Sequence, residues 1–230
     1  MDQTGKKKRI IAIICNCVLV IFEIIGLWLC MNDGGVYNFI YFTVLSNVLT
    51  MIVSAIYLIV CFVNGIYTEN LPKWLRWIRY MATNCLALTF IIVITVLIPM
   101  GAKDGLIDDL LIRGPQLFHH ILCPIISFLS FCIVEEGNIT KRDIWIATFP
   151  TILYAIILIF LNVIKVVEGP YPFLLVYDQP FYLSVIWFIL IVGISFGLPL
   201  VIRRVSQINF FKNRKNTHDD NINLEEINTQ

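Results

Sequence analysis

The chain has 230 residues, of which 58% are hydrophobic and 14% charged, with a formal net charge of +1. Soluble domains carry roughly 25% charged and 45–50% apolar residues, so these proportions, with a mean hydropathy of +0.81, exclude a soluble fold of this length. The seven cysteines (15, 17, 30, 61, 85, 123 and 132) are scattered through apolar runs, which excludes a disulfide framework or a C-x-x-C metal pattern and leaves them as small apolar fillers.

A helix crossing a bilayer needs about 20 mostly apolar residues. Six runs qualify, at 10–30, 38–64, 80–101, 117–134, 144–166 and 183–202. The first is long enough to span, and no A-x-A-like cleavage site follows it, so it reads as a membrane helix and not as a cleaved signal. The second is long enough to tilt or to project beyond the membrane. Between the second and third runs, Leu71-Pro-Lys-Trp-Leu-Arg-Trp-Ile-Arg79 mixes Trp74 and Trp77 with three cations, which predicts a short interfacial helix. From Ser206 the chain is polar and without hydrophobic period, as expected of a disordered tail with His218 in solvent. The expected organisation is a transmembrane domain over 1–205 and a tail over 206–230, with no internal repeat of the kind that marks inverted-repeat transporters.

Fourteen of the 17 Lys and Arg residues fall at the N-terminus, in the loops 65–79 and 135–143, and in the tail; Lys103, Arg113 and Lys165 lie on the other side. Positive charge concentrates on the cytoplasmic side, so this division predicts an all-α, polytopic bundle of six transmembrane helices with both termini cytoplasmic.

Polar side chains inside membrane helices are costly and face the bundle interior. In the second run Thr43, Ser46, Asn47, Thr50 and Ser54 recur at i, i+3, i+4, i+7 and i+11, which is one helical face. Such a stripe serves either as packing glue between helices or as a site. The fourth run opens with Phe118-His119-His120-Ile-Leu-Cys-Pro124; His119, Cys123, Ser127 and Ser130 share a face, with His120 one position round. At 1.5 Å per residue both groups lie within about 8 Å of the outer interface, at a common depth. A hydroxyl beside an imidazole is the minimal nucleophile and base, and an unperturbed imidazole titrates near 6.5. Asn47 or backbone N–H groups are the candidate donors to an oxyanion, with Ser46 as a supporting residue on the same face.

Glu23 is the clearest ionisable residue within a run. It is expected to orient a histidine as in hydrolytic triads, to relay protons, or to hydrogen-bond as a neutral acid. The last outer loop, Glu168-Gly-Pro-Tyr-Pro-Phe173 followed by Tyr177-Asp178, is stiffened by its prolines; Tyr171 and Asp178 belong to a cap over the outer mouth or to a simple connector. A catalytic zinc needs three protein ligands, and the bundle offers only His119 and His120, diverging by about 100° on one helix. No metal, no cofactor and no nucleic-acid partner are expected.

The segment Tyr41-Phe-Thr43-Val-Leu-Ser46-Asn47, the His-x-x-x-Pro of the fourth run and the Tyr-Pro-Phe loop before the sixth occur in that order. Over residues 10–205 the chain resembles a family of bacterial six-span membrane proteins. That family is distantly similar to the androgen-induced and androgen-dependent membrane proteins of animals, which hydrolyse fatty acid esters of hydroxy fatty acids with an intramembrane threonine and histidine. The resemblance implies Thr43 as nucleophile, acyl esters of membrane lipids as substrate, and a bacterial plasma membrane as location. Proline four residues after the histidine selects His120 as base, and the animal spacing of five selects His119. The competing expectation is a non-enzymatic membrane protein: a small transporter, a lipid-binding scaffold or an assembly partner.

Overall fold

Apolar runs of this length have one stable form in a bilayer, the helix that satisfies its own backbone groups. The computed structural model describes residues 3–65, 71–135 and 139–208. It contains six helices long and apolar enough to cross a membrane: α1 Gln3–Asp33, α2 Phe42–Val63, α3 Lys73–Gly101, α4 Leu117–Val134, α5 Lys141–Val163 and α6 Phe181–Ser206. The chain is an all-helical, multi-pass membrane protein.

The helices differ from the expected runs where local chemistry intervenes. The second run does not project as a long helix. Gly35–Ile40 forms a separate 3₁₀ turn, and extended backbone at Tyr41 starts α2 afresh. The segment from Leu71 to Arg79 is not an independent interfacial helix. From Lys73 it is the first two turns of α3, and Arg79 is fully buried inside the bundle. α5 starts with a capping box in which the Thr140 N–H and hydroxyl donate to the Asp143 carboxylate, satisfying groups the first turn leaves open. The expected disordered tail, with His218, lies outside the described residues beyond Ile208.

Prolines shape the helix interiors. Pro99 has no N–H to give, and the turn before it widens to a π-helix over Val93–Leu97. Pro124 likewise follows a π segment, Leu117–Leu122. Pro199 in α6 frees the carbonyl of Ser195, which accepts the Thr148 hydroxyl of α5 at 3.2 Å; the Pro199 carbonyl accepts the Tyr80 phenol of α3 at 2.6 Å.

α3 is the central helix. It packs against α2, α4, α5 and α6, and 61% of its apolar 18-residue stretch is buried against 17% of that of α6. α1 closes the other side against α2 and α4. At one end of the bundle Arg79 donates from Nε and Nη2 to the two oxygens of Glu135, at 3.0 and 2.7 Å, and from Nη1 to Ser54 at 3.3 Å. Glu135 also accepts Ser130 at 2.8 Å and Asn16 at 3.3 Å. One ion pair thereby ties four helices. Removing one member of a buried pair strands the other charge. Glu135→Gln should lower stability by about 3–5 kcal/mol, read as a depressed unfolding midpoint in detergent. The Arg79→Met/Glu135→Leu pair should recover most of that loss.

Candidate functional site

Thr43 is the second residue of α2, so its N–H has no acceptor within the helix. It donates instead to the Tyr171 hydroxyl, which also lies 3.3 Å from Thr43 Oγ1. Tyr171 comes from the loop between α5 and α6 and is held by stacking on Phe173 at 5.0 Å and by the edge of Tyr41 at 5.8 Å. Burial raises the Tyr171 phenol above its ordinary range, outweighing the Thr43 contacts that lower it, so it stays a neutral O–H. The loop is anchored by Asn162, which donates to the Val167 carbonyl and accepts the Val176 N–H. Asn162 is absent from the sequence-based candidates; its signal in the sequence is a lone asparagine late in an apolar run.

The rest of the α2 stripe is buried and mostly bonded to its own backbone. Ser46 donates to the Thr43 carbonyl at 2.9 Å and meets Thr89 of α3 at 3.1 Å, while Thr50 donates to the Ser46 carbonyl at 2.9 Å. Asn47 Nδ2 donates to the Thr43 carbonyl at 2.7 Å and to the His119 carbonyl at 3.3 Å. A side-chain amide has two N–H groups, and both are committed here. Asn47 is therefore a brace between α2 and α4 and not a free oxyanion donor, and Ser46 is a helix-packing contact.

Both histidines are buried, which adjacent residues on a regular helix face achieve with difficulty. They lie in the π segment of α4 and turn to different partners. His120 Nδ1 lies 2.6 Å from the Leu110 carbonyl of the five-residue helix Ile107–Leu111. A carbonyl only accepts, so Nδ1 carries the proton. His119 turns to α1, where its Nε2 lies 4.0 Å from Glu23 Oε2. That distance is beyond hydrogen bonding, and both Glu23 oxygens and His119 Nε2 lack hydrogen-bond partners among the described residues. Gly26 makes room for the ring: a Cβ there would stand 2.7 Å from Nε2.

The structure thus brings Glu23 to His119 and Thr43 to Tyr171. It does not bring an imidazole to Thr43. Among the described residues neither histidine hydrogen-bonds the Thr43 hydroxyl, and Asn47 joins the two centres only through backbone carbonyls. The side chains leave their helices in different directions. Asp178 is exposed, with its backbone N–H closing a turn onto Leu175. Among the described residues no cluster of three or more His, Cys, Asp or Glu could hold a metal.

Thr43 and Tyr171 face a cavity of about 550 Å³ enclosed by α2, α3, α5, α6 and the 171–177 loop. This is within the range of small-ligand sites, about 300–1,000 Å³. Its walls are largely apolar; the hydroxyls of Thr43, Thr89 and Tyr171 gather at one side, and Thr151 Oγ1 and Ser184 Oγ lie in the wall without hydrogen-bond partners among the described residues. Neither histidine lines it, and neither does Glu23. Its rim on α6 is Phe181, Val185 and Phe188, which are exposed at 82%, 39% and 46%. The cavity therefore opens sideways, toward the hydrocarbon.

No family model, no curated protein and no solved structure matches the chain. Its chemistry rests on its own geometry. Gly26→Ala should force His119 from its seat and cost about 1–3 kcal/mol of stability; adding His119→Ala should return most of the loss in a double-mutant cycle on unfolding midpoints.

Proposed function

We propose that this membrane protein binds the acyl chain of a single-chain lipid within its bundle, with the lipid's ester or carboxyl group at the hydroxyls of Thr43, Thr89 and Tyr171. One observation carries the reading: an apolar cavity of about 550 Å³ on the lipid-exposed side of α6 carries the hydroxyls of Thr43 and Tyr171, 3.3 Å apart, together in its wall. A lipid tail matches the apolar walls, and the head would meet donors that are already in place. The excess of Lys and Arg at the opposite end of the bundle supports a cytoplasmic location for that end and for both termini. On that reading the lipid enters from the outer leaflet of a plasma membrane, bacterial by the resemblance described above.

A second reading, ester hydrolysis, draws on the same hydroxyl. Thr43 Oγ1 would attack the acyl carbonyl, and His120 or His119 would take its proton. For that, an imidazole has to leave the Leu110 carbonyl or Glu23 and reach Oγ1. The neutral Tyr171 phenol would then serve as a hydrogen-bond donor to the oxyanion. The lipid-binding reading needs no such movement, so the geometry supports it best.

Binding of a fluorescent fatty acid to the reconstituted protein separates the two. Ala155→Trp, which fills the cavity, should abolish binding in a folded protein, and Thr43→Val should weaken it by about tenfold, the worth of one hydrogen bond. Full binding by a folded Ala155→Trp variant would remove the cavity from the argument. Labelling by a fluorophosphonate that Thr43→Ala and one histidine variant both lose would promote the hydrolase reading; binding without labelling leaves the lipid-binding one. A reporter active only in the cytoplasm should be active when fused to the C-terminus and inactive when inserted after Gly105 in the α3–α4 connection.

A further inference from the structure

The seam between α1 and α4 holds a carboxyl and an imidazole that the cavity at Thr43 does not use. Glu23 and His119 are 1% and 2% exposed. Their nearest atoms, Glu23 Oε2 and His119 Nε2, stand 4.0 Å apart. Both carboxyl oxygens and Nε2 are without hydrogen-bond partners among the described residues. Gly26, three residues after Glu23 on the same face of α1, lets the ring lie against the helix. Around the pair Leu19, Leu86 and Cys123 are fully buried, with Phe22 and Phe118 packed against them and against each other, edge-on at 5.5 Å.

A carboxylate in such surroundings needs a cation or several donors. On α4 the titratable neighbours are His119, His120 and Cys123. His120 is turned to the Leu110 carbonyl, and the Cys123 thiol lies beside Glu23. α2 presents Asn47, whose amide N–H groups go to the carbonyls of Thr43 and His119. α3 presents Leu86. On the short helix before α4, Asp109 pairs with Arg113. The Arg79 guanidinium is bonded to Glu135, which lies 16 positions from His119, about 24 Å along α4. What Glu23 can reach is therefore His119 Nε2. A turn of the Glu23 side chain that moves Oε2 by about 1 Å brings the two within hydrogen-bond distance.

We propose that Glu23 and His119 form a binding site for one exchangeable proton, held on the Glu23 carboxyl and donated to His119 Nε2. One proton answers both orphaned groups and leaves the pair uncharged. Moving it onto the ring would place two charges in an apolar seam with no further donors or acceptors to solvate them. Nε2 accepts in this arrangement, so the imidazole carries its own proton on Nδ1. Among the described residues no cluster of His, Cys, Asp or Glu supplies the ligands of a metal ion, whereas a proton needs only these two groups. Ionisable residues inside a membrane bundle are the sites at which protons are held and passed on. The site shares no residue with the cavity at Thr43 and does not depend on its guest.

The test is infrared spectroscopy of the full-length protein in bilayers at pH 7, where water-exposed carboxyls are ionised and absorb as carboxylate. Wild type should show the C=O stretch of a protonated carboxyl, and the band should move to lower frequency when deuterium oxide replaces water. Glu23→Gln, which keeps the shape of the side chain, should lose the band. His119→Ala should keep it but move it to the higher frequency of an acid without an acceptor. If Glu23→Gln does not fold, Glu23→Asp, an acid one carbon shorter, should shift the band instead. A wild-type spectrum without a protonated carboxyl would overturn the proposal whatever the variants do. So would a band that survives in folded Glu23→Gln, one that is unmoved in His119→Ala, or one that never responds to deuterium oxide, which would mean a proton locked in the fold.

Discussion

The Arg79–Glu135 pair is the constraint around which the bundle is arranged. Helices in a bilayer gain nothing from hiding apolar surface, since lipid is as apolar as leucine; they are held by packing and by polar groups that have no other partners. Here one carboxylate collects donors from α1, α3 and α4, and the guanidinium reaches on to Ser54 of α2. Four helices are fixed in register at one end, and α5 and α6 attach to the remaining face of α3. The loose burial of α6 follows from this. It is tied in by Tyr80, Thr148 and a few buried positions, and the space that it leaves beside α3 is the cavity.

Two levels stand out among the buried polar groups. The arginine level holds Arg79, Glu135, Asn16 and Ser130. The histidine level holds Glu23, His119, Asn47 and Thr43. Between them Leu19 and Leu86, both fully buried, pack with Cys123, and the buried hydroxyls of Thr83 and Ser127 meet at 3.0 Å. The Thr43 hydroxyl belongs to the cavity and the His119 imidazole to the α1–α4 seam, while His120 turns to the Leu110 carbonyl; the Asn47 amide is the hydrogen-bonded brace between α2 and α4.

The six helices were legible because hydropathy and length decide spanning almost alone, and the α2 stripe because its spacing puts five polar residues on one face. The approach of Glu23 to a histidine was also legible, since few polar residues are available inside such a bundle to meet one another. What stayed hidden depends on azimuth. Counting residues placed Thr43 and the histidines at one depth, but the π segment that turns His119 to α1 and His120 to Leu110 leaves little mark in the sequence beyond Pro124. Arg79 was counted with the loop cations because a lone arginine after a tryptophan pair looks interfacial; its partner, Glu135, lies 56 residues on. The cavity had no sequence signal, because the residues around it are the same apolar types that face lipid elsewhere.

The rim of Phe181, Val185 and Phe188 has a consequence for how occupancy is governed. An opening that faces hydrocarbon exchanges its guest with the membrane, not with water. The guest's mole fraction in the leaflet then takes the place of its aqueous concentration. On the proposed lipid-binding reading, a lipid far too insoluble to be measured in the surrounding medium would fill the cavity if it were abundant among its neighbours, and the resting composition of the membrane would decide which guest is present.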